Sequence, residues 1–173
     1  MKYDSLRALV NRAREANVKI SELVIRDEME EMGYTYEDTY ERMRNSLRVM
    51  QESEVSGMER GLRSASGLTG GDAWKMSQRI GRNLMGDAFV TALTRAIAVS
   101  ETNACMGRIV AAPTAGSCGI LPACLLTVME DCGGAEDDAV KALFTASAVG
   151  MVIARNATIA GAEGGCQAEC GAA

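Results

Sequence analysis

Residues 35–50 read TYEDTYERMRNSLRVM, and the period of this stretch decides the fold class. Thr35 followed three residues later by Asp38 resembles a capping box with Asp in place of Glu. Tyr36, Tyr40, Met43, Leu47 and Met50 then recur at intervals of three and four, the spacing of one helix face. The segment is therefore read as the start of a long amphipathic helix. Its Tyr/Met stripe is assigned to core packing and not to a cofactor.

The same period extends in both directions. Upstream, Ser5 is positioned to cap a helix carrying Leu6, Leu9, Val10 and Ala13. Ser21 starts a second helix with Leu23, Val24, Ile25, Met29 and Met32, stopped by Gly33. Downstream, SASGLTGGDAWKM (64–76) is a turn-rich interruption before a new helix, and 88–100 forms another, with Phe89, Ala92, Leu93, Ala96, Ile97 and Val99. A second loop, AAPTAGSCGILP (111–122), leads into a helix over 123–130. DCGGAEDD is an exposed turn, and Asp138 caps a last helix running to about residue 159. No alternating strand pattern of useful length occurs, so the expected fold is all-α: a compact multi-helix domain with Gly-rich loops between helices. Residues 1–173 are read as one domain, incomplete on its C-terminal side. Its amphipathic helices occupy 1–63, and 64–173 is a loop-and-helix part carrying the site motifs. Residues 1–63 hold more than half of the charged side chains, so the second part is read as the buried, functional one.

Composition narrows the function classes. The 173 residues are 47% hydrophobic but 4% aromatic, with 11 Met. The core must therefore be built from small and flexible side chains that favour close helix packing. The formal net charge of −5 argues against nucleic acid and against a polybasic membrane patch. Residues 1–20 are charged throughout and lack a signal-peptide h-region. The uncharged stretch 142–154 is shorter than the roughly 20 residues of a spanning helix. The chain reads as a soluble cytoplasmic protein with no membrane partner. Its six cysteines are then expected to be free thiols. Histidine is absent, which excludes Cys–His and Ser–His catalysis and Cys₂His₂ zinc sites within this chain.

Two glycine-rich loops could bear chemistry. Ser66–Gly67–Leu68–Thr69–Gly70–Gly71–Asp72 fits neither phosphate-binding fingerprint and follows no strand. Its free N–H groups ahead of a helix offer a seat for a carboxylate, with Thr69 adding a hydroxyl. Alternatively it is a plain turn with Asp72 as helix cap. In Pro113–Thr114–Ala115–Gly116–Ser117–Cys118–Gly119, two glycines, two hydroxyls and a thiol lie between Pro113 and Pro122. Proline fixes the entry and exit while glycine permits close backbone approach. Pocket wall and simple turn both remain open on the residues alone.

Three stretches carry a resemblance. NACMGRIVAAPTAGSCGILPA (103–123), NATIAGAEGGCQAECG (156–171) and GLTGGDAWKM (67–76) closely resemble the alpha chain of iron–sulfur-dependent bacterial L-serine dehydratases. The resemblance covers essentially the whole chain, with the motifs in the family's order. It implies conversion of L-serine to pyruvate and ammonia in amino-acid degradation, with a [4Fe-4S] cluster in place of pyridoxal phosphate. One iron, not fully ligated by thiolate during turnover, acts as a Lewis acid on the substrate hydroxyl while a base removes the Cα proton. The aminoacrylate then becomes an imine and hydrolyses. By resemblance Cys166 is a cluster ligand. Thr69, Gly70, Gly71, Asp72, Pro113, Thr114, Ala115, Gly116, Ser117 and Gly119 line the substrate and cluster pocket, and Asn156 and Glu163 orient the third motif. No base is assigned. Cys170 stands where many relatives carry Val and is assigned to packing; Cys118 stands where relatives carry Cys or Ala. Cys105, Cys124 and Cys132 match no ligand position.

The family pattern continues with two further ligand segments, CDPV and PCxxRN, which are not in this sequence. A cluster of this kind takes three or four thiolates, so the expectation is an alpha-subunit part, inactive alone and completed by further chain and a beta subunit in an oligomer. Two alternatives are kept: a non-catalytic interaction module for a beta-type partner without a cluster, and a pyridoxal-phosphate enzyme with Lys75 as Schiff base.

Overall fold

The computed structural model describes residues 3–173, and among them it contains helices and turns and no strand. The all-α expectation holds. The order is α1 (Leu6–Glu15), α2 (Ile20–Met32), α3 (Tyr36–Gly57), α4 (Asp72–Ser77), α5 (Asp87–Ala104), a 3₁₀ turn (Ala115–Ser117), α6 (Ile120–Cys132), α7 (Glu136–Asn156), α8 (Gly161–Gly164) and α9 (Cys166–Ala172).

Local chemistry sets most of these boundaries. The Ser5 hydroxyl accepts the Ala8 N–H at 3.1 Å. The Thr35 hydroxyl accepts the Asp38 N–H at 3.1 Å, and the Asp38 carboxylate accepts the Thr35 N–H at 3.4 Å, a complete capping box. Gly33 ends α2 at φ 69°, where glycine has no Cβ to clash. Other boundaries shift. Helix α2 begins at Ile20, and Ser21 turns its side chain inward. Helix α6 begins at Ile120, because Pro122 falls in the first turn, where its missing N–H costs no helical hydrogen bond. Asp138 is not the cap of α7: Ala135 holds that place, and the Asp138 carboxylate accepts the Ala135 N–H at 3.2 Å from the third helical position. Helix α7 stops at Asn156, short of 159, and the glycine-rich tail folds into α8 and α9.

The main core surrounds α7. Val140, Leu143, Phe144, Ala148 and Val152 pack against Leu9 of α1, Leu23, Val24 and Ile25 of α2, Tyr40, Leu47 and Met50 of α3, and Leu126 of α6. Burial is thus shared between the two parts of the chain and not concentrated in the second. The stripe of α3 is core as expected, except for Tyr36, which is exposed and stacks on Tyr40 at 6.0 Å. The Tyr40 hydroxyl donates to Asp137 at 2.5 Å, joining α3 to α7.

Helix α5 lies against α3 on another face. The approach is close at Gly57, where a Cβ would sit 1.9 Å from the Ala98 carbonyl oxygen. Thr102 donates to the Ser53 carbonyl at 2.7 Å, and Arg95 binds Glu54 at 2.9 Å and Thr127 at 3.1 Å. Gly119 brings the start of α6 onto α5, since a Cβ there would lie 2.3 Å from the Ala96 oxygen. The helical run 115–132, the 3₁₀ turn with α6, is long and apolar enough by length and composition to cross a membrane, and 39% of it is buried within the fold.

Candidate functional site

The first glycine loop is folded onto α5 by a carboxylate. Gly70 and Gly71 have φ of 128° and 82°, and Gly71, not Asp72, is the N-cap of α4. A Cβ on Gly70 would meet the Leu62 carbonyl oxygen at 2.3 Å. The resulting N–H groups are taken by Glu101, whose side chain is 3% exposed. Its Oε1 accepts the Asp72 N–H at 2.8 Å, and its Oε2 accepts those of Gly71 at 3.0 Å and Ala73 at 3.4 Å. The seat for a carboxylate exists, but the chain fills it with its own. Among the sequence candidates Glu101 was missed. Its signal is its register, since Val90, Thr94, Ala98 and Glu101 fall on the buried side of α5. A carboxylate there requires buried donors.

The second loop begins at the cis peptide between Ala112 and Pro113 and contains the 3₁₀ turn. The Ser117 hydroxyl donates to the Ala112 carbonyl at 3.1 Å, and Asn103 Nδ2 donates to the Ala115 carbonyl at 3.0 Å, so α5 also fixes this loop. Cys118 is buried, and burial pushes its thiol pKa up, away from thiolate chemistry.

The third motif follows α7. Glu169 of α9 accepts the Thr114 hydroxyl, fastening the third motif to the second. Thr158 donates to Glu163 at 2.6 Å within the third motif itself. Asn156 donates to the Val152 and Asp4 carbonyls at 2.8 and 3.1 Å, which ties the end of α7 to the N-terminal segment.

These placements create one cleft of about 480 Å³. Thr69 and Asp72 supply one wall, Ser100 and Glu101 of α5 the floor, Gly116, Ser117 and Gly119 a second wall, and Cys170 a third. Residues from all three motifs therefore meet, although they are far apart in sequence. Cys170, assigned to packing, is exposed and lines the cleft. Cys166, Asn156 and Glu163 are outside its lining, while Pro113 borders a separate apolar groove of about 380 Å³ that also touches Ala172 and Ala173. At the rim, Lys75 Nζ donates to Asp72 at 2.7 Å, holding that carboxyl below its ordinary value. Lys75 itself lies exposed in this ion pair and does not line the cleft.

Metal-ligating side chains are sparse. Among the described residues no three His, Cys, Asp or Glu side chains come together as a metal site. Cys166 is an exposed free thiol at the first position of α9. Because their thiols are not gathered in one place, the described residues do not fit an iron–sulfur cluster by themselves.

Residues 15–173 match the family described as serine dehydratase alpha chain, and the chain belongs to that family. It is 42% identical to the probable L-serine dehydratase, alpha chain, of Bacillus subtilis over 173 residues, covering 99% of this chain and 57% of that relative. It is 34% identical over 172 residues to the L-serine dehydratase, alpha chain, of Peptoniphilus asaccharolyticus, covering 98% and 59%. The L-serine dehydratase of Streptomyces coelicolor is 36% identical over 173 residues, covering 95% of this chain and 37% of the relative. The chain therefore spans less than two thirds of the length of these relatives.

Proposed function

We propose that this chain supplies part of the active site of an L-serine ammonia-lyase, releasing pyruvate and ammonia. The observation that carries the reading is the meeting of the three motifs at one cleft, whose largely apolar lining includes a few polar groups. Its chemistry suits a small hydroxy amino acid. The Asp72 carboxylate, held ionised by Lys75, offers a partner for the ammonium group, and among the described residues no aromatic side chain crowds the cleft. The names of the relatives support serine as the substrate.

In this reading a [4Fe-4S] cluster receives one thiolate from Cys166, and its other ligands and the base come from sequence beyond this chain or from a beta subunit. Because the donors of this chain do not complete such a site, no chemical step is assigned to the cluster. The test is anaerobic iron–sulfide reconstitution of the full-length protein with its beta-type subunit, followed by pyruvate formation from L-serine. Cluster absorption and turnover that both disappear in Cys166→Ala support the reading. Turnover that persists in Cys166→Ala removes that ligand.

A second reading, an interaction module without a cluster, is favoured by one feature. Leu84, Met85, Phe89 and Leu93 are exposed together on and before α5. Stable binding of a beta-type subunit without cluster absorption or turnover would support it over the lyase.

A further inference from the structure

Gly116 and Gly161 are glycines that the backbone does not require. Neither has a positive φ; Gly116 lies inside the 3₁₀ turn and Gly161 opens α8. Glycine in such helical conformations is less favourable than alanine. Space supplies the reason. A Cβ on Gly116 would lie 2.3, 2.8 and 3.1 Å from Oε1, Cδ and Oε2 of Glu169. A Cβ on Gly161 would lie 3.2 Å from each of the same three atoms. At both positions these are the three nearest atoms, so one carboxylate accounts for two glycines from different motifs. Its Oε2 also accepts the Thr114 hydroxyl.

Helix α9 needs such a fastening. It buries none of its side chains, and none of residues 153–173 is buried. Apolar burial therefore does little to fix where α9 lies, although Cys170 on it forms a wall of the cleft. We infer that Glu169 is a positioning residue: its carboxylate, cradled by Gly116 and Gly161 and bound by Thr114, locks α9 onto the 113–119 loop and sets the third wall of the cleft. The consequence for turnover rests on the lyase reading; the consequence for α9 does not.

The test compares Glu169→Ala, Glu169→Gln, Gly116→Ala and the double variant Gly116→Ala/Glu169→Ala in the full-length protein. Hydrogen exchange across 160–173 should quicken by about tenfold or more in Glu169→Ala, as loss of a hydrogen bond to a charged group implies. Gly116→Ala should do the same, because its methyl displaces the flexible carboxylate without disturbing backbone. Glu169→Gln keeps an oxygen to accept from Thr114 and should stay near the parent rate. The double variant should exchange no faster than Glu169→Ala, since the methyl then enters empty space. Turnover of L-serine should follow the same order, with Glu169→Gln rescued. Parent-like exchange in Gly116→Ala, or effects that multiply in the double variant, overturns the inference. If the parent protein does not turn over serine, the lyase reading fails while the exchange pattern still decides the role of Glu169.

Discussion

Two regions of this molecule are held together by different physics. Around α7 the chain is fixed by burial: Phe144 and Val140 are fully enclosed, and helices from both parts of the sequence contribute to one apolar cluster. Around the cleft, order comes from carboxylates. Glu101 gathers three N–H groups for the first wall, and Glu169 binds a hydroxyl for the third. Burial is non-directional and tolerates variation in shape. Carboxylate–donor contacts fix atoms in place.

If that division is right, the largest effect on stability should come from the core and leave the cleft contacts unaltered. Phe144→Ala should destabilise the fold by about 3–5 kcal/mol, by transfer loss plus cavity formation. Denaturant unfolding measures it, and a loss below about 1 kcal/mol would indicate a core far looser than the burial implies. Glu101→Gln should come next. It keeps one accepting oxygen but turns an amide donor toward either the Asp72 N–H or those of Gly71 and Ala73, and should cost about 2–3 kcal/mol. Its signature should be local: fast exchange across 69–75 while the amides of α7 stay protected. Uniform loss of protection would mean that the cleft wall and the core are a single cooperative unit.

The core end was far more legible in the sequence than the cleft. Ser5, Gly33 and the Thr35–Asp38 pair act within a turn of their own helices, so their roles follow from neighbours three or four residues away. The periodic stripe of α3 required no tertiary knowledge beyond the sign of hydrophobicity. The cleft contacts have no such local signal. Glu101 reaches Asp72 across 29 residues, and Glu169 reaches Thr114 across 55. The glycines looked like a place to receive a foreign carboxylate because a sequence does not reveal that the chain brings its own. The short helices α8 and α9 were missed for a related reason. Their glycine content argues against helix, and packing of α8 on α9 and of α9 on the 3₁₀ turn overrides it. The family resemblance identified the motifs and, within them, Thr69, Asp72, Gly116, Ser117 and Gly119, which line the cleft, but it assigned Cys170 to packing and did not single out Glu101.

Tyr40 provides a smaller test, at the border of the core. Its hydroxyl loses solvent and donates to Asp137, which together push its pKa from 10.0 up to about 12. The folded state thus favours the neutral phenol. The resulting stabilisation is fully present below pH 10 and is lost as pH rises through about 12. Tyr40→Phe should cost about 1–2 kcal/mol at neutral pH and flatten the alkaline limb of the stability profile. An unchanged alkaline limb would assign that limb to other groups.

The smallest expected effect belongs to the contact most readily read from sequence. Thr35→Ala removes one acceptor from the exposed start of α3 and should cost about 1 kcal/mol. Its acid dependence separates a cap from a generic loss of helix propensity. The Thr35 side chain, with its backbone N–H second, holds the Asp38 carboxyl below its ordinary 3.8. A carboxyl depressed in the folded state adds stability that is present above the ordinary value and lost as pH falls through the folded one. Thr35→Ala should therefore lower stability at neutral pH and weaken this acid dependence, so that the variant and parent curves converge at low pH. Curves that stay parallel down to low pH would show that Asp38 does not act through Thr35. The cap would then contribute by backbone geometry alone, a force of the same local kind as the rest of α3 and unlike the long-range carboxylates of the cleft.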